Sequence, residues 1–162
     1  MFQKAADLSP GDWAAIARLA AAQQEYGLAA LAKSNYRRAI ELGADDPDVF
    51  NNLAYLEAES GTDLDDALGL SQRALFRSPG NSQYADTVGF IYLKKHDNAN
   101  ALQVFQTLAE RFPNDPAFRY HLALALLESG KREQGERELR TAVAADPSLA
   151  DNATVRHLLG PN

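Results

Sequence analysis

The sequence contains no cysteine, and among its 162 residues it has one methionine and one tryptophan. Because thiolate chemistry needs cysteine, this absence excludes disulfide bonds, zinc–thiolate sites, iron–sulfur clusters and thiol catalysis. No apolar run approaches the length of about 18 residues that a membrane-spanning helix needs. The first residues also lack the apolar stretch of a signal peptide. We therefore expect no direct insertion of this chain into a membrane.

Basic residues are not in excess either. The chain has 16 Lys and Arg side chains against 22 Asp and Glu, which gives a formal net charge of −6. Since proteins bind nucleic acids largely through Lys and Arg that neutralise phosphates, we expect no nucleic-acid partner. Hydrophobic residues make up 46% of the chain, which is near the average of globular domains and permits a packed core.

The local motifs of catalysis and cofactor binding are missing as well, namely G-x-S-x-G, the phosphate loop and G-x-G-x-x-G. His96, His121 and His157 are not spaced as a helical metal-binding pair. The acidic clusters at 45–48 and 63–66 lack the glycine and final glutamate of a calcium loop, and acids are common at helix N-termini. We expect no enzymatic activity, no catalytic residue, no cofactor and no metal site; an enzyme is the least supported alternative.

Alanine is abundant and β-branched residues are sparse, a composition that favours helices. Apolar residues recur at helical spacing, and residues typical of helix starts precede the periodic segments, such as Ser9, Asp46 and Asp115, each directly before a proline. Thr62 with Asp65 resembles a capping box. No segment resembles a strand. The pattern predicts helices over residues 10–25, 28–42, 47–60, 64–77, 82–94, 97–111, 116–129, 132–145 and 149–159.

The same residues also repeat over a longer period. Ala101 and Phe105, for example, are followed 34 residues later by Gly135 and Leu139. The first helices align in the same way, with small residues at equivalent places. The predicted organisation is residues 1–12, then units at 13–46, 47–81, 82–115 and 116–149, then residues 150–162.

This pattern resembles the tetratricopeptide repeat (TPR) family, whose 34-residue helix–turn–helix unit has W-x2-L-G-x2-Y, then A-x3-F, then proline. The third unit matches it best, through Gly89, Tyr92, Ala101, Phe105 and Pro113. The sequence departs from the pattern in lacking the family's tryptophan in every unit, the closing proline in the first and the large aromatic residue in the second. The resemblance implies an all-α fold, a right-handed superhelical solenoid of antiparallel helix pairs whose concave face is lined mainly by first helices.

The two ends carry predictions of their own. Phe2, Ala5 and Pro10 have the spacing of the later part of a second helix, so residues 1–12 are either the tail of a truncated repeat or a short N-terminal helix. In the first case the chain is a piece of a longer array. The localisation is therefore unknown: cytoplasmic if the chain is complete and undetermined if it is a fragment. Residues 150–162 are expected to form a capping helix, with Val155 against the last pair, and a C-terminal tail.

The resemblance implies a binding site on the concave face. The predicted peptide-binding groove consists of Asn51, Asn52, Tyr55, Asp86, Phe90, Tyr120, His121 and Leu124. Tyr55, Phe90 and Tyr120 are rigid aromatic anchors, whereas Asn51 and Asn52 are able to hydrogen-bond a peptide backbone. The more apolar members of this set could instead pack against the next helix or the cap.

These observations predict a non-enzymatic scaffold that binds a peptide or protein segment in its concave groove. The alternative is an assembly or spacer segment of a larger repeat protein, self-associating as a homo-oligomer through exposed ends where Phe2 and Leu8 lie. One TPR subfamily clamps the C-terminal carboxylates of heat-shock chaperones with Lys, Asn and Arg. That clamp is not expected here, because only Asn52 fits among the corresponding residues Ala17, Ala21, Asn52, Gln83 and Thr87.

Overall fold

A computed structural model describes residues 11–159 of the chain, and these residues form helices without any strand. In chain order the helices are α1 (Trp13–Glu25), α2 (Ala29–Glu41), α3 (Pro47–Ser60), α4 (Leu64–Arg77), α5 (Ser82–Lys94), α6 (Asn98–Arg111), α7 (Pro116–Glu128), α8 (Arg132–Ala145), a 3-10 helix (Pro147–Asp151) and α9 (Ala153–Leu159). The predicted all-α class is confirmed. The predictions for the N-terminus, including the choice between a truncated repeat and a short helix, lie outside the described range. They concern Phe2, Ala5, Leu8 and Pro10.

Most helices begin where a side-chain cap satisfies the first free backbone N–H groups. In each case a side-chain oxygen accepts a hydrogen bond from a backbone N–H of the first turn, at 2.9–3.3 Å. The residues that supply this oxygen are Asp46, Asn81, Asp97 and Asp115. Because these caps are local in sequence, the starts of α3, α5 and α7 agree with the predicted ones.

The start predicted for α1 and the capping box predicted for α4 are wrong, although α4 begins at Leu64 as predicted. Residues 11 and 12 lie outside α1, and Asp12 is its N-cap, since its Oδ1 accepts a hydrogen bond from Ala14 N at 2.9 Å. At α4 the predicted capping box of Thr62 and Asp65 does not cap the helix. The N-cap is Asp63, which makes no side-chain cap bond, and the Thr62 hydroxyl lies 3.0 Å from that of Ser60 instead.

The predicted capping helix over 149–159 is wrong in its first part. The 3-10 helix occupies Pro147–Asp151, and Asn152 has extended backbone at ψ 129° before α9 begins. The Asn152 Oδ1 accepts a hydrogen bond from Thr154 N at 2.8 Å. A separate helix, α9, therefore begins after Asn152, because the Asn152 side chain caps N–H groups that would be bonded internally in a continuous helix.

The four turns that join the two helices of a pair share one backbone hydrogen-bond pattern. The backbone N–H groups of Leu28, Thr62, Asp97 and Lys131 donate to the carbonyl five residues earlier, at 2.8–3.0 Å. The residue before each donor has a positive φ, and these residues are Gly27, Gly61, His96 and Gly130. His96 thus holds, at φ 57°, a left-handed conformation that glycine adopts without steric cost.

The chain divides into two compact units, Met1–Thr87 and Val88–Asn162, with the boundary inside α5. In the first unit α2 packs against α1 and α3, and α3 also packs against α4. Its core contains Ile16, Tyr36 and Leu53, each almost fully buried. In the second unit α7 packs against α6 and α8, while α9 packs against α8. Val155 of α9 is buried there, as the sequence predicts.

Gly89 shows why small residues recur where helices cross. A Cβ atom at Gly89 would lie 2.7 Å from the ring of Phe105 and 2.9 Å from Val104 Cγ1, both on α6. Phe105 is fully buried and has little room to move. Gly69 is the opposite case, since nothing lies within 4 Å of a Cβ at this exposed position of α4.

We expect Gly89→Ala to lower the free energy of unfolding by about 1–2 kcal/mol, because the cost of overpacking exceeds the gain in helix propensity. The matched control Gly69→Ala should raise it by about 0.5–1 kcal/mol, since only the propensity changes there. Urea unfolding followed by circular dichroism measures both. A Gly89→Ala variant as stable as the wild type would contradict the close packing at this crossing.

Candidate functional site

A groove of about 520 Å³ lies on α1 and α3 within the first unit, and we call it the α1–α3 groove. Its lining residues are Trp13, Ala14, Ala17, Arg18 and Ala21 of α1, Tyr36 of α2, and Asp46, Asp48, Val49 and Asn52 at and after the start of α3. The alanine side chains on the α1 side of the groove are short, while the α3 side is polar. The volume is in the range of sites that hold small ligands or short peptide segments.

A chain of hydrogen bonds fixes Asn52, one of the predicted groove residues. The Asn52 Nδ2 group donates to Tyr36 Oη at 3.1 Å, and Tyr36 Oη donates to Gln24 Oε1 at 3.2 Å. Burial raises the pKa of Tyr36, and the nearby carboxylates of Asp48 and Glu25 raise it further. The tyrosine therefore stays protonated, and its hydroxyl holds both amides in place.

Asp48 lies on the same side of the groove and is held from α5. Its Oδ1 accepts a short hydrogen bond from the hydroxyl of Tyr84, which is buried. Burial raises the pKa of Tyr84 far above its ordinary value, and the hydrogen bond to Asp48 and the charge of that carboxylate add to the effect. The hydroxyl of Tyr84 thus holds the carboxyl group of Asp48 in a fixed position.

Three other predicted residues of the first unit are not among the lining residues of this groove. Tyr55 is 37% exposed, and burial together with the carboxylates of Glu59 and Asp86 raises its pKa. This places Tyr55 of α3 close to Asp86 of α5. Asn51 is half-buried, and its Oδ1 has no hydrogen-bond partner among the described residues. Tyr55 and Asp86 therefore form a second polar and aromatic surface, separate from the α1–α3 groove.

In the second unit the structure brings His121 and Phe90 together in one aromatic cluster. The His121 ring centroid lies 5.2 Å from that of Phe105 and 6.0 Å from that of Phe90. The Lys94 Nζ lies 5.1 Å from the centroid of the Phe90 ring, a cation–π distance. Leu124 is half-buried on α7, one turn after His121 and Tyr120.

Tyr120 is engaged by the C-terminal segment. It packs against the cluster of Ala123, Leu139 and Val155. Burial raises the pKa of its hydroxyl, which is hydrogen-bonded to the Asn152 side chain. Tyr120, one of the predicted groove residues, thus lies against the C-terminal segment.

Sequence reasoning missed several groove residues, among them Trp13, Arg18 and Asp46. Helical spacing could have found the first two: Trp13 precedes Ala17 by four residues, and Arg18 follows Ala14 by four. Asp46 was identified as a cap only. A residue at a helix start is able to serve both purposes, because the cap uses one carboxylate oxygen.

Within residues 11–159 no helix is both long and apolar enough to span a bilayer. In the same range no group of three or more His, Asp or Glu side chains is arranged to hold a metal ion.

Comparisons with known proteins agree on the family. Residues 92–159 match a family model described as tetratricopeptide repeat. A 70-residue segment, 43% of the chain, is 33% identical to the TPR repeat-containing thioredoxin TTL4 of Arabidopsis thaliana, and it spans only 10% of that relative. Among solved structures, the MamA protein has a TM-score of 0.73 at 14% identity, covering 94% of this chain and 82% of its own.

A second solved structure is that of YrrB, described as a TPR protein with an unusual peptide-binding site. The TM-score is 0.69 at 19% identity, covering 93% of this chain and 77% of that one. At these identities the likeness concerns the fold. Residues 92–159 thus match the tetratricopeptide repeat family, and the chain has the fold of a TPR protein.

Proposed function

We propose that this chain is a protein-interaction scaffold that binds a peptide segment of a partner protein in the α1–α3 groove. The observation that carries the proposal is the groove itself, about 520 Å³ in volume, with a low alanine wall facing polar groups of fixed position. TPR scaffolds are generally non-enzymatic, and the proposed role is binding without chemistry. The solved TPR structure whose description names a peptide-binding site supports a peptide as the ligand.

The polar groups of the groove suit a peptide backbone. The Asn52 side-chain amide has two N–H donors and one carbonyl oxygen. One of the donors is used in the hydrogen bond to Tyr36. A donor and a carbonyl oxygen are the two kinds of group that a peptide unit needs as partners. Because Tyr36 and Gln24 already fix the amide, little side-chain entropy is lost when a ligand binds.

The predicted aromatic residues extend the proposal. Tyr55 is the exposed aromatic anchor of the first unit, and Phe90 with His121 forms an aromatic surface of the second. Such rings provide contact area at low entropic cost. We propose that each of these two aromatic surfaces contacts a ligand within its own unit.

The test starts from a random peptide library selected on the immobilised full chain, with enriched peptides titrated by fluorescence anisotropy. We expect Asn52→Ala to weaken binding of these peptides about tenfold, equal to about 1.4 kcal/mol. Tyr55→Ala should weaken those peptides that carry an apolar residue beyond the groove.

The matched control is Asn100→Ala, which removes an exposed asparagine at the start of α6. Binding to this variant should equal that of the wild type. If no peptide is enriched, or if every enriched peptide binds the Asn52→Ala and Tyr55→Ala variants as tightly as the wild type, the proposed function is wrong.

A further inference from the structure

Three acidic residues lie at the start of α3, and they differ in whether a basic side chain forms an ion pair with them. Asp45 pairs with Arg73 Nη2 at 2.9 Å and with Arg77 Nη2 at 2.5 Å. Asp46 and Asp48 line the α1–α3 groove, and in the part of the chain that the structure describes neither forms an ion pair with Lys or Arg. The α3 side of the groove therefore carries two carboxylates with which no Lys or Arg of residues 11–159 forms an ion pair.

Each of these carboxylates accepts a hydrogen bond that keeps it in place. Asp46 Oδ1 caps α3 through Asp48 N at 2.9 Å, and Asp48 Oδ1 accepts from the Tyr84 hydroxyl. A carboxylate has about four acceptor positions, so these bonds leave capacity for a ligand that donates. The raised pKa of Tyr84 agrees with a concentration of negative charge at this place, since Asp48 and Asp46 contribute to it after burial.

The repeat register places these carboxylates beside the groove's only tryptophan. A period of 34 residues makes Ala14 of α1 equivalent to Asp48 of α3, and Arg18 equivalent to Asn52. Trp13, which lines the groove, thus shares one end of it with the two carboxylates. Arg18 and Asn52 follow one helical turn later, about 5 Å along the groove.

The two ends of the groove differ in chemistry. An indole face beside carboxylates is a favourable surrounding for an ammonium or guanidinium group. Arg18 has only donors, so at the other end it suits carbonyl or carboxylate oxygens, as does the Asn52 amide. A uniformly basic or uniformly acidic ligand would oppose one end of this arrangement.

From this arrangement we infer that the α1–α3 groove selects a protein segment with a Lys or Arg side chain, bound against Trp13, Asp46 and Asp48, while its backbone carbonyl oxygens accept from Arg18 and Asn52. The inference rests on the proposed function and names its ligand class. It places the basic side chain at the end of the groove where α1 and α3 begin.

The experiment uses three labelled pools of random peptides, identical except for one central residue, which is Arg, Gln or Glu. With the full chain at low salt, we expect the Arg pool to bind about tenfold more tightly than the Gln pool, and the Glu pool to bind most weakly. Raising the salt concentration should shrink these differences.

Asp48→Asn tests the assigned position, because asparagine still accepts the Tyr84 hydrogen bond but carries no charge. In this variant the difference between the Arg and Gln pools should fall to about twofold or less. The matched control is Asp151→Asn, which changes the net charge equally at an exposed residue of the second unit. That variant should keep the full preference.

The outcomes separate the inference from the proposed function. Equal binding of the three pools, with loss of binding in Asn52→Ala, would overturn the inference and leave groove binding intact. An Arg preference that survives Asp48→Asn would also overturn it, since the charge would then act elsewhere. If none of the pools binds, groove binding itself is wrong and the inference fails with it.

Discussion

Replacing Arg37 by alanine is expected to lower the free energy of unfolding by about 3 kcal/mol, because it leaves a buried carboxylate without its cation. Glu57 of α3 is fully buried, and its Oε1 lies 2.6 Å from Arg37 Nη2 of α2. The same nitrogen lies 2.8 Å from Asp63 Oδ2 in the turn before α4. The guanidinium of Arg37 on α2 thus contacts acidic side chains on both sides of the turn between α3 and α4. The other carboxylate oxygen, Glu57 Oε2, is buried without a partner among the described residues.

The loss should depend on pH. Burial raises the pKa of Glu57 despite the opposing effect of Arg37. A carboxyl whose pKa is higher in the folded chain than in the unfolded chain stabilises the fold fully at acid pH, and that contribution is lost as the pH rises through the folded pKa. Removing Arg37 raises the pKa further. Arg37→Ala should therefore cost more at about pH 7 than at about pH 4, where the carboxyl is protonated.

Two variants complete this test by urea unfolding at both pH values. Arg140→Ala is the matched control: Arg140 is exposed, lies 3.3 Å from Glu136 one turn earlier, and should contribute less than about 0.5 kcal/mol. Adding Glu57→Gln to Arg37→Ala removes the buried charge and should restore part of the stability. An effect of Arg37→Ala that is small, or equal at the two pH values, would show that Glu57 is not an uncompensated ion in that variant.

The sequence predicted those features of the fold that depend on local chemistry. Asp46 and Asp115 cap the helices that follow them, and both act through atoms within three residues of themselves. Gly89 matches the family pattern in the sequence, and in the structure a Cβ atom there would lie 2.7 Å from the ring of Phe105. Such features need no knowledge of how distant segments pack.

Features that depend on packing between distant residues were not predictable in this way. Arg37 and Glu57 are 20 residues apart on different helices, and no period in the sequence joins them. Tyr120 was placed in the groove, but its environment is set by the segment around Asn152, whose predicted course as one helix was wrong. The groove itself was predicted only in part: Asn52 was in the predicted set, whereas Trp13 was not.

Phe105→Ala is the second variant with a large expected effect, a loss of about 3–5 kcal/mol in the free energy of unfolding. Phe105 is fully buried on α6, where its ring meets Gly89 and lies 5.2 Å from the ring of His121. Truncation to a methyl group removes these contacts and leaves a cavity, since close-packed helices collapse only in part. The stability is lost from the packing of the second unit, where Phe105 and its contacts lie.

The matched control is Phe76→Ala, the same change at a ring that is 81% exposed on α4, and it should alter stability by less than about 0.5 kcal/mol. Phe105→Leu keeps most of the volume and should cost about 1–1.5 kcal/mol, which keeps the test informative if the alanine variant does not fold. The His121 ring resonances should shift in Phe105→Leu and stay unchanged in Phe76→Ala. Equal stability losses in the two alanine variants would contradict the burial of Phe105. Unshifted His121 resonances would instead show that Phe105 does not position the aromatic surface proposed to contact the ligand.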